Sequence, residues 1–149
     1  MTAPNSLAAA SAAPALTTIR ELVRAYQAFS SYSEAFVRQY DLTPAQFDVI
    51  ATLGNTLGMS MGDIGDKTLI TKGTLTGVVD RLEKKGLVTR EVPPENRRSV
   101  IVKLTPSGTQ LFEQAFPAHI HDIQQHLEAL DVSEMELLRV LLSRLGKAF

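Results

Sequence analysis

The stretch 71–104 constrains the fold most, because its apolar residues change period within it. Up to Lys85 they recur at intervals of three and four, which is typical of a helix with one buried face. Beyond Gly86, which suits the left-handed residue that ends a helix, apolar and polar residues alternate along 87–92 and 99–104. This stretch therefore predicts a helix followed by a β-hairpin. The apolar residues of the helix are Leu75, Val78, Val79 and Leu82.

Two shorter helices are predicted before this one, each from a capping pattern. Thr43 with Gln46 forms a capping box, and Pro44 takes the first helical position. Ser60, with Asp63 three residues on, opens the next helix, whose apolar residues are predicted to point inward. These residues are Met61, Ile64 and Leu69. A short helix that meets the helix 71–85 at a tight junction forms a helix-turn-helix.

Short hydroxyls and cations occupy the outer face of the helix 71–85. They are Lys72, Thr74, Thr76, Arg81 and Lys84. A helix held down by one face and showing such side chains on the other fits the major groove of DNA. An ordinary solvated amphipathic helix has the same pattern and is the alternative. Thr71 is predicted to cap this helix by accepting a hydrogen bond from a free amide of its first turn.

Adjacent arginines mark the tip of the predicted hairpin. Residues 93–96 turn between the strands, since their prolines cannot donate to the ladder, and Arg97 and Arg98 follow. A basic hairpin directly after a helix of this kind is a wing. Its arginines would enter the minor groove, where negative potential is focused, or neutralise phosphates. The alternative is a pair of solubilising turn charges.

The charge distribution agrees with a polyanion-facing middle. The whole chain of 149 residues has a net charge of -1, which by itself gives no hint of nucleic acid. Between residues 58 and 104, however, nine Lys and Arg oppose six Asp and Glu, a net +3, and the remaining residues carry -4. A basic segment on a neutral frame is consistent with a nucleic-acid partner.

Long amphipathic segments flank this region on both sides. Residues 17–40 keep one apolar face for over six turns, and 107–130 keep another. A final helix is predicted to be capped by Ser133 with Glu136. Because these apolar faces are long for a chain of this size, a second copy of the chain is the predicted partner. Residues 1–16, uncharged and rich in Ala, Ser and Pro, are predicted to form a flexible tail.

The predicted fold class is therefore mainly α with a small β-hairpin wing, an α+β arrangement in one domain at 17–149. A winged helix-turn-helix lobe is predicted at 42–105. A helical dimerisation region is predicted from both termini, at 17–40 and 106–149.

Several classes of protein are disfavoured by what the sequence lacks. It has no cysteine, which excludes disulfides and thiolate ligands and fits a reducing compartment, so the predicted location is cytoplasmic. No apolar run approaches the ~20 residues that span a bilayer, so no membrane partner is expected. No nucleophile–base pair, phosphate loop or helix-borne His-Glu set is present, which predicts a non-enzyme without a cofactor.

Taken together, the runs LTPAQFDVIATL, TKGTLTGVVDRLEKKGLVTR and PENRRSVIVKLTPSG resemble the MarR family of bacterial transcription regulators. The resemblance covers nearly the whole chain after residue 17. It implies a homodimer on double-stranded operator DNA, with the helix 71–85 in the major groove and the wing in the minor groove. It also implies release of DNA by a small aromatic acid, phenol, antibiotic or oxidant in many members. The DNA-reading positions that it carries over are Lys72, Thr74, Thr76, Arg81, Arg97 and Arg98.

Three positions depart from the family pattern. Gly77 stands where arginine is frequent, which removes one potential contact, and Gly73 stands where many members have proline. Two glycines near the start should each weaken the helix by roughly 1 kcal/mol relative to alanine. Asn96 replaces a frequent aspartate of the wing, so it can hydrogen-bond but supplies no charge.

An aromatic stretch on the first helix is the candidate ligand site. In the family, ligands settle between the dimerisation helices and the DNA-binding lobe, and aromatic side chains there would suit a flat apolar ligand with one acidic group. Packing in a dimer core is the alternative. The candidate residues are Tyr26, Phe29, Tyr32 and Phe36.

The three histidines are the candidate metal ligands. His119 and His126, seven residues apart, share a helix face, whereas His121 points elsewhere. Without cysteine this set differs from those of zinc-sensing relatives. Partly buried or solvated histidines are therefore expected, with no metal site.

Two function classes remain open at this point. The first is a DNA-binding repressor, released from a palindromic operator by a ligand. The second is a winged helix used as a protein-interaction module, which the basic middle of the chain disfavours. A ligand-independent or activating DNA-binding regulator is a third possibility, because operator position and not sequence separates repression from activation.

Overall fold

The computed structural model describes residues 13–149, which form six helices and three short strands within that range. The predicted class, mainly α with a small β wing, is confirmed. In chain order the elements are α1 (Pro14–Arg38), α2 (Pro44–Leu53), β1 (Met59–Ser60), α3 (Met61–Thr68), α4 (Lys72–Lys84), β2 (Val88–Glu91), β3 (Ile101–Leu104), α5 (Pro106–Leu127) and α6 (Val132–Gly146).

The first helix begins three residues before its predicted start at Thr17. Pro14 takes the first helical position, where a missing N–H costs nothing, and the Thr17 hydroxyl donates to the carbonyl of Ala13. Assigning 1–16 to a tail was therefore wrong for 14–16, and residues 1–12 lie outside the described range.

Capping interactions fix the two short helices ahead of α4. The predicted capping box of α2 is confirmed, because the Thr43 hydroxyl accepts from the Gln46 amide and the Gln46 side chain accepts from the Thr43 amide. The Ser60 hydroxyl accepts from the Asp63 amide and caps α3. Helix α3 ends at Leu69 in the left-handed conformation, with φ 59°.

Leu69 does not point inward, as its apolar character predicted, but is 89% exposed. Its left-handed backbone ends α3, and its side chain faces solvent. The junction of the helix-turn-helix therefore leaves a leucine in solvent.

The end of α4 follows the sequence prediction closely. Gly86 adopts φ 74°, its amide donates to the Glu83 carbonyl, and the Leu87 amide donates to the Leu82 carbonyl. This pair of bonds is a Schellman motif, which closes the helix and starts the chain toward β2.

The sheet has three strands, one more than the predicted hairpin. Strand β3 lies in the middle and pairs antiparallel with β2 on one side and with β1 on the other. The extra strand has two residues, with Met59 opposite Val102, and was missed because alternation cannot be recognised over two residues. It joins the segment before α3 to the base of the wing.

The core lies among α2, α3, α4, β2, β3 and the facing parts of α1 and α5. Its largest fully buried side chains are Ile50, Leu53, Ile64, Leu75 and Leu82, followed by Val37, Val49, Val79, Val88 and Val102. Only Phe36 and Val37 are buried on α1, and α6 has no buried residue.

The C-terminal helices differ from the prediction at their ends. Helix α5 runs from Pro106 to Leu127 and so ends before the predicted Leu130. Helix α6 is capped by Asp131 with Glu134, because the Asp131 carboxylate accepts from the Glu134 amide and the Glu134 carboxylate accepts from the Asp131 amide. None of the helices in residues 13–149 is long and apolar enough to cross a membrane.

Candidate nucleic-acid interface

Helix α4 is held to the protein by one face. The four residues of its predicted apolar stripe are all at most 3% exposed, and the helix packs against α2, α3 and β2. Burying four such side chains contributes several kcal/mol, which fixes which face of the helix meets solvent. The outer face is therefore an outcome of core packing.

The outer face carries every side chain that the sequence assigned to it. Lys72, Thr74, Thr76 and Arg81 are exposed, and the Thr76 hydroxyl donates to the Lys72 carbonyl at 3.2 Å. The prediction that Thr71 caps the helix with its side chain was wrong. Its hydroxyl donates to the Thr74 hydroxyl at 3.2 Å instead, which leaves the first-turn amides of α4 without that partner.

Two glycines lie at the middle of this outer face. At 3.6 residues per turn, Gly73 and Gly77 fall opposite the buried stripe. A Cβ added at either position would meet no atom within 4 Å. The middle of the face is thus backbone, and the polar side chains stand on both sides of it.

The wing tip is built by hydrogen bonds of Asn96. Its side-chain oxygen accepts from the Arg98 amide at 3.2 Å, and its amide nitrogen donates to the Ser99 hydroxyl at 3.3 Å. Asn96 therefore holds the turn without a charge, as expected from the departure at this position. Arg97 and Arg98 are exposed, and within residues 13–149 neither guanidinium forms an ion pair.

Arg90 joins the wing to the outer helix, a role that the sequence pattern did not predict. From β2 its guanidinium pairs with Asp80 at 2.5 Å and with Glu83 at 3.4 Å, both on α4. Arg90 is thereby engaged within the protein. Its single positive charge offsets one of the two carboxylate charges beside the cationic face, and with the other cations of α4 and the wing the net charge there is positive.

We expect Arg90→Ala to lower the free energy of unfolding by about 1 kcal/mol, because one partly buried guanidinium serves two carboxylates. The measurement is urea unfolding at low and high salt. Arg139→Ala is the matched control, since the only ion pair of Arg139 within residues 13–149 is with Glu136, on the same exposed helix face. A loss no larger than that of the control would contradict a connecting role for Arg90.

The aromatic residues proposed for a ligand do not share one environment. Phe36 is buried in the core, whereas Tyr26 and Phe29 are 68% and 52% exposed. Tyr32 lies between these extremes, and its hydroxyl donates to Asp122 of α5 at 2.8 Å. Burial, assisted by this bond, raises the pKa of Tyr32 to about 12.

Tyr26 belongs to a separate groove between α1 and α6. The groove has a volume of about 910 Å³ and is lined by five residues of α1 and five of α6, four of the latter being leucines. Its polar lining residues are Thr18, Glu21 and Arg144. The Glu21 carboxylate is paired with Arg24 at 2.5 Å, and Arg144 adds a positive charge to the lining of the groove. Tyr26 therefore lies apart from Phe36, which is buried in the hydrophobic core.

The three histidines of α5 lie in different surroundings. His121 approaches Gln125 at 3.2 Å, and His126 Nδ1 approaches the Asp122 carbonyl at 2.8 Å. Among the described residues, no three His, Asp or Glu side chains come together as a metal cluster. His119 differs from the other two because it is only 8% exposed and sits among aromatic rings.

Known proteins with this sequence pattern and this architecture are transcription regulators. A model of the MarR family matches residues 40–99. The HTH-type transcriptional regulator MhqR of Bacillus subtilis is 32% identical over 125 residues, which are 84% of this chain and 86% of that protein. The homoprotocatechuate degradative operon repressor of Escherichia coli is 30% identical over 113 residues, 76% of each chain.

A solved structure extends the comparison to three dimensions. BpsR of Bordetella bronchiseptica, described for the regulation of its DNA binding by 6-hydroxynicotinic acid, superimposes with a TM-score of 0.76. The two sequences are 30% identical, and the match covers 87% of this chain and 98% of BpsR. With the polar face of α4, the basic wing and these relatives in agreement, the chain belongs to the MarR family of winged helix-turn-helix, DNA-binding transcription regulators.

Proposed function

We propose that the chain is a homodimeric repressor that a small aromatic acid or phenol releases from a palindromic operator. The observation that carries the proposal is the exposed polar and basic face of α4 beside a wing with two exposed arginines. Operator binding explains why both groups of cations stand on one lobe of a chain whose net charge is -1.

In this proposal the two elements read different grooves. Helix α4 enters the major groove with Lys72, Thr74, Thr76 and Arg81 facing the DNA, and Gly73 and Gly77 allow its backbone to approach closely. Arg97 and Arg98 meet the adjacent minor groove or its phosphates. Hydroxyls and lysines mainly fix register on the duplex, while Arg81 is the side chain with bidentate reach to a guanine.

Apolar surface that one chain leaves exposed on α1 and α6 supports a second copy of the chain as its partner. On α1, Leu22, Val23 and Phe29 are exposed, and on α6 five large apolar side chains are between 39% and 59% exposed. An apolar surface of this extent marks an interaction site. A two-fold pair joined through 17–40 and 106–149 would aim two copies of α4 at one palindromic site.

The aromatic residues of α1 and two of the similar proteins support a small aromatic acid or phenol as the ligand. The groove beside Tyr26 lies within the size range of small-molecule sites, and Thr18 and Arg144 can hold an acidic group. Tyr32 and Phe29, with ring centroids 6.3 Å apart, offer a second apolar surface along the same helix. BpsR responds to a hydroxylated aromatic acid, and the repressor of Escherichia coli is named for a homoprotocatechuate operon.

Two other functions compete with this one. A protein-interaction module would not need exposed arginines at the wing tip. A ligand-independent or activating regulator would share every DNA contact and differ only in its response or operator position. Binding to duplex DNA with and without a candidate ligand separates these functions.

The test is binding of the purified protein to a labelled duplex from the region upstream of its own gene, across a salt series, with and without salicylate. Tight, salt-steep and sequence-selective binding that salicylate weakens is expected. Selective binding indifferent to salicylate, 6-hydroxynicotinic acid and 4-hydroxyphenylacetate would reject the ligand response and leave DNA binding. Binding no stronger than the non-specific level of ~10⁻⁴–10⁻⁶ M on that duplex and on a genomic library would reject operator binding.

Arg98→Ala is expected to weaken binding to all duplexes and to flatten the slope of log K against log salt by about one unit, because one phosphate contact is lost. Lys147→Ala, which removes another exposed cation just beyond α6, is the control and should leave the slope unchanged. An unchanged slope for Arg98→Ala would reject its phosphate contact.

A further inference from the structure

His119 lies where helices α1 and α5 meet α2, the first helix of the proposed DNA-binding lobe at 42–105. It projects from α5, and its ring centroid lies 4.7 Å from Phe36 of α1 and 4.9 Å from Phe47 of α2. A third ring, Tyr32, stacks at 6.1 Å. From α5, the imidazole thus contacts α1 and also α2, the first helix of the lobe that carries α4.

The imidazole is buried without a partner for one of its nitrogens. His119 is 8% exposed, and its Nδ1 has no hydrogen-bond partner in residues 13–149. A neutral imidazole tolerates this arrangement at the cost of one unsatisfied acceptor. A protonated imidazole has two donors and a positive charge, and it needs water or an anion at that nitrogen.

The groups that face His119 do not supply that anion. From α1 it meets the Tyr32 ring, and from α2 the uncharged Phe47 ring. On α5 itself, Asp122 is the nearest acidic residue, one turn on, but its carboxylate already accepts from Tyr32. His126 lies a further turn along, with its ring 4.7 Å from Tyr32. Burial lowers the pKa of His119, and the charge of Asp122 offsets this only in part.

We propose that protonation of His119 opens the packing of α5 against α1 and α2, so that mild acidification weakens DNA binding by this chain. The surroundings of His119 are packed, so they can admit a proton, whereas a small-molecule ligand would need a cavity there. Helix α2 packs directly on α3 and α4. If the contact between α2 and α5 is lost, the lobe that contains α2, α3 and α4 is no longer held against α1 and α5. The DNA part of this proposal rests on the operator binding proposed above.

The direction of the pH effect follows from the lowered pKa. An unfolded chain takes up a proton near pH 6.5, the ordinary histidine value, whereas folded His119 resists it to lower pH. The stabilisation is complete above pH 6.5 and is lost as the pH falls through the window between 6.5 and the folded pKa. Within this window the unfolding constant should rise about tenfold per pH unit from this residue alone.

The experiment compares the full chain with two variants between pH 7.5 and 5.0. His119→Phe keeps an aromatic ring of similar size but cannot be protonated, and His121→Gln removes an exposed histidine as the control. Urea unfolding and duplex binding are measured on each. The wild type and His121→Gln should lose stability and affinity more steeply than His119→Phe below pH 6.5, with an affinity difference of several-fold at pH 5.5.

Nuclear magnetic resonance titration of the folded wild type supplies an independent readout. The His119 ring signal should titrate below pH 6.5, and a midpoint at or above 6.5 would overturn the proposal even where His119→Phe fails to fold. Equal pH slopes of affinity for the wild type and His119→Phe would overturn the coupling to DNA. If no protein binds a duplex at any pH, the operator proposal fails together with this coupling, while the unfolding and titration results still decide whether His119 is the buried proton acceptor.

Discussion

Gly108→Ala is expected to lower the free energy of unfolding by about 3 kcal/mol, whereas Gly77→Ala is expected to raise it by about 1 kcal/mol. A Cβ at Gly108 would lie 2.0 Å from the carbonyl oxygen of Leu87. That oxygen accepts from the Thr105 amide at 3.0 Å, so the backbone cannot move away without losing this bond. At Gly77 the same methyl group meets nothing within 4 Å and improves helix propensity.

Comparing Gly108→Ala with Gly77→Ala separates the steric clash of the added Cβ from the general effect of glycine on chain flexibility, because both positions are helical and the substitution is identical. Urea unfolding of the two variants and the wild type gives both signs in one series. Equal changes at the two positions would contradict the steric argument. The junction matters for function because Gly108, in the first turn of α5, lies against Leu87, which connects α4 to β2. A chain loosened here would also lose the orientation of its DNA-binding lobe.

The features that sequence alone predicted correctly are determined within a few residues of chain. The Thr43–Gln46 capping box and the left-handed Gly86 need only their own turn to form. The buried stripe of α4 follows from helical spacing, and this spacing also assigns the opposite face. Periodicity was therefore enough to predict that the candidate DNA-binding side chains of α4 share one surface, although their contacts with DNA stay a prediction.

The predictions that failed depended on distant partners or on equivalent local signals. Strand β1 exists because Met59 meets Val102, far along the chain. Two overlapping caps, Asp131 with Glu134 and Ser133 with Glu136, are equally acceptable by pattern, and the structure uses the first. Leu69 was assigned to the core by hydrophobicity, but in the structure it is the left-handed C-cap residue of α3 and its side chain is exposed.

Two residues gained their roles only through tertiary contacts. Arg90 alternates along a strand like any exposed cation, and its pairing with Asp80 depends on how β2 packs against α4. His119 has the helical spacing of a half-buried residue, and only the packing of α1, α2 and α5 encloses it. Sequence periodicity indicates which face a residue occupies, but it does not identify what that face meets.

Leu141→Glu is expected to yield a folded monomer in place of the proposed dimer and to reduce operator affinity by about a thousandfold, to the non-specific level. Leu141 is 47% exposed on α6, a helix with no buried residue, so a charge there leaves the fold of one chain intact. In a dimer built on this surface the same carboxylate would be buried without a partner, which costs several kcal/mol for each copy. A monomer binds only one half-site and loses the gain from joining two.

Leu57→Glu is the matched control, because Leu57 is 94% exposed in the loop after α2 and lies outside the apolar surface of α1 and α6. Sedimentation equilibrium at micromolar concentration, circular dichroism and duplex binding are measured for both variants. Dimerisation and full affinity in Leu141→Glu would exclude α6 from the interface. If Leu57→Glu also loses both dimerisation and operator affinity, the second copy contacts the DNA-binding lobe instead. A two-fold pair joined through that lobe could not present both copies of α4 to one operator.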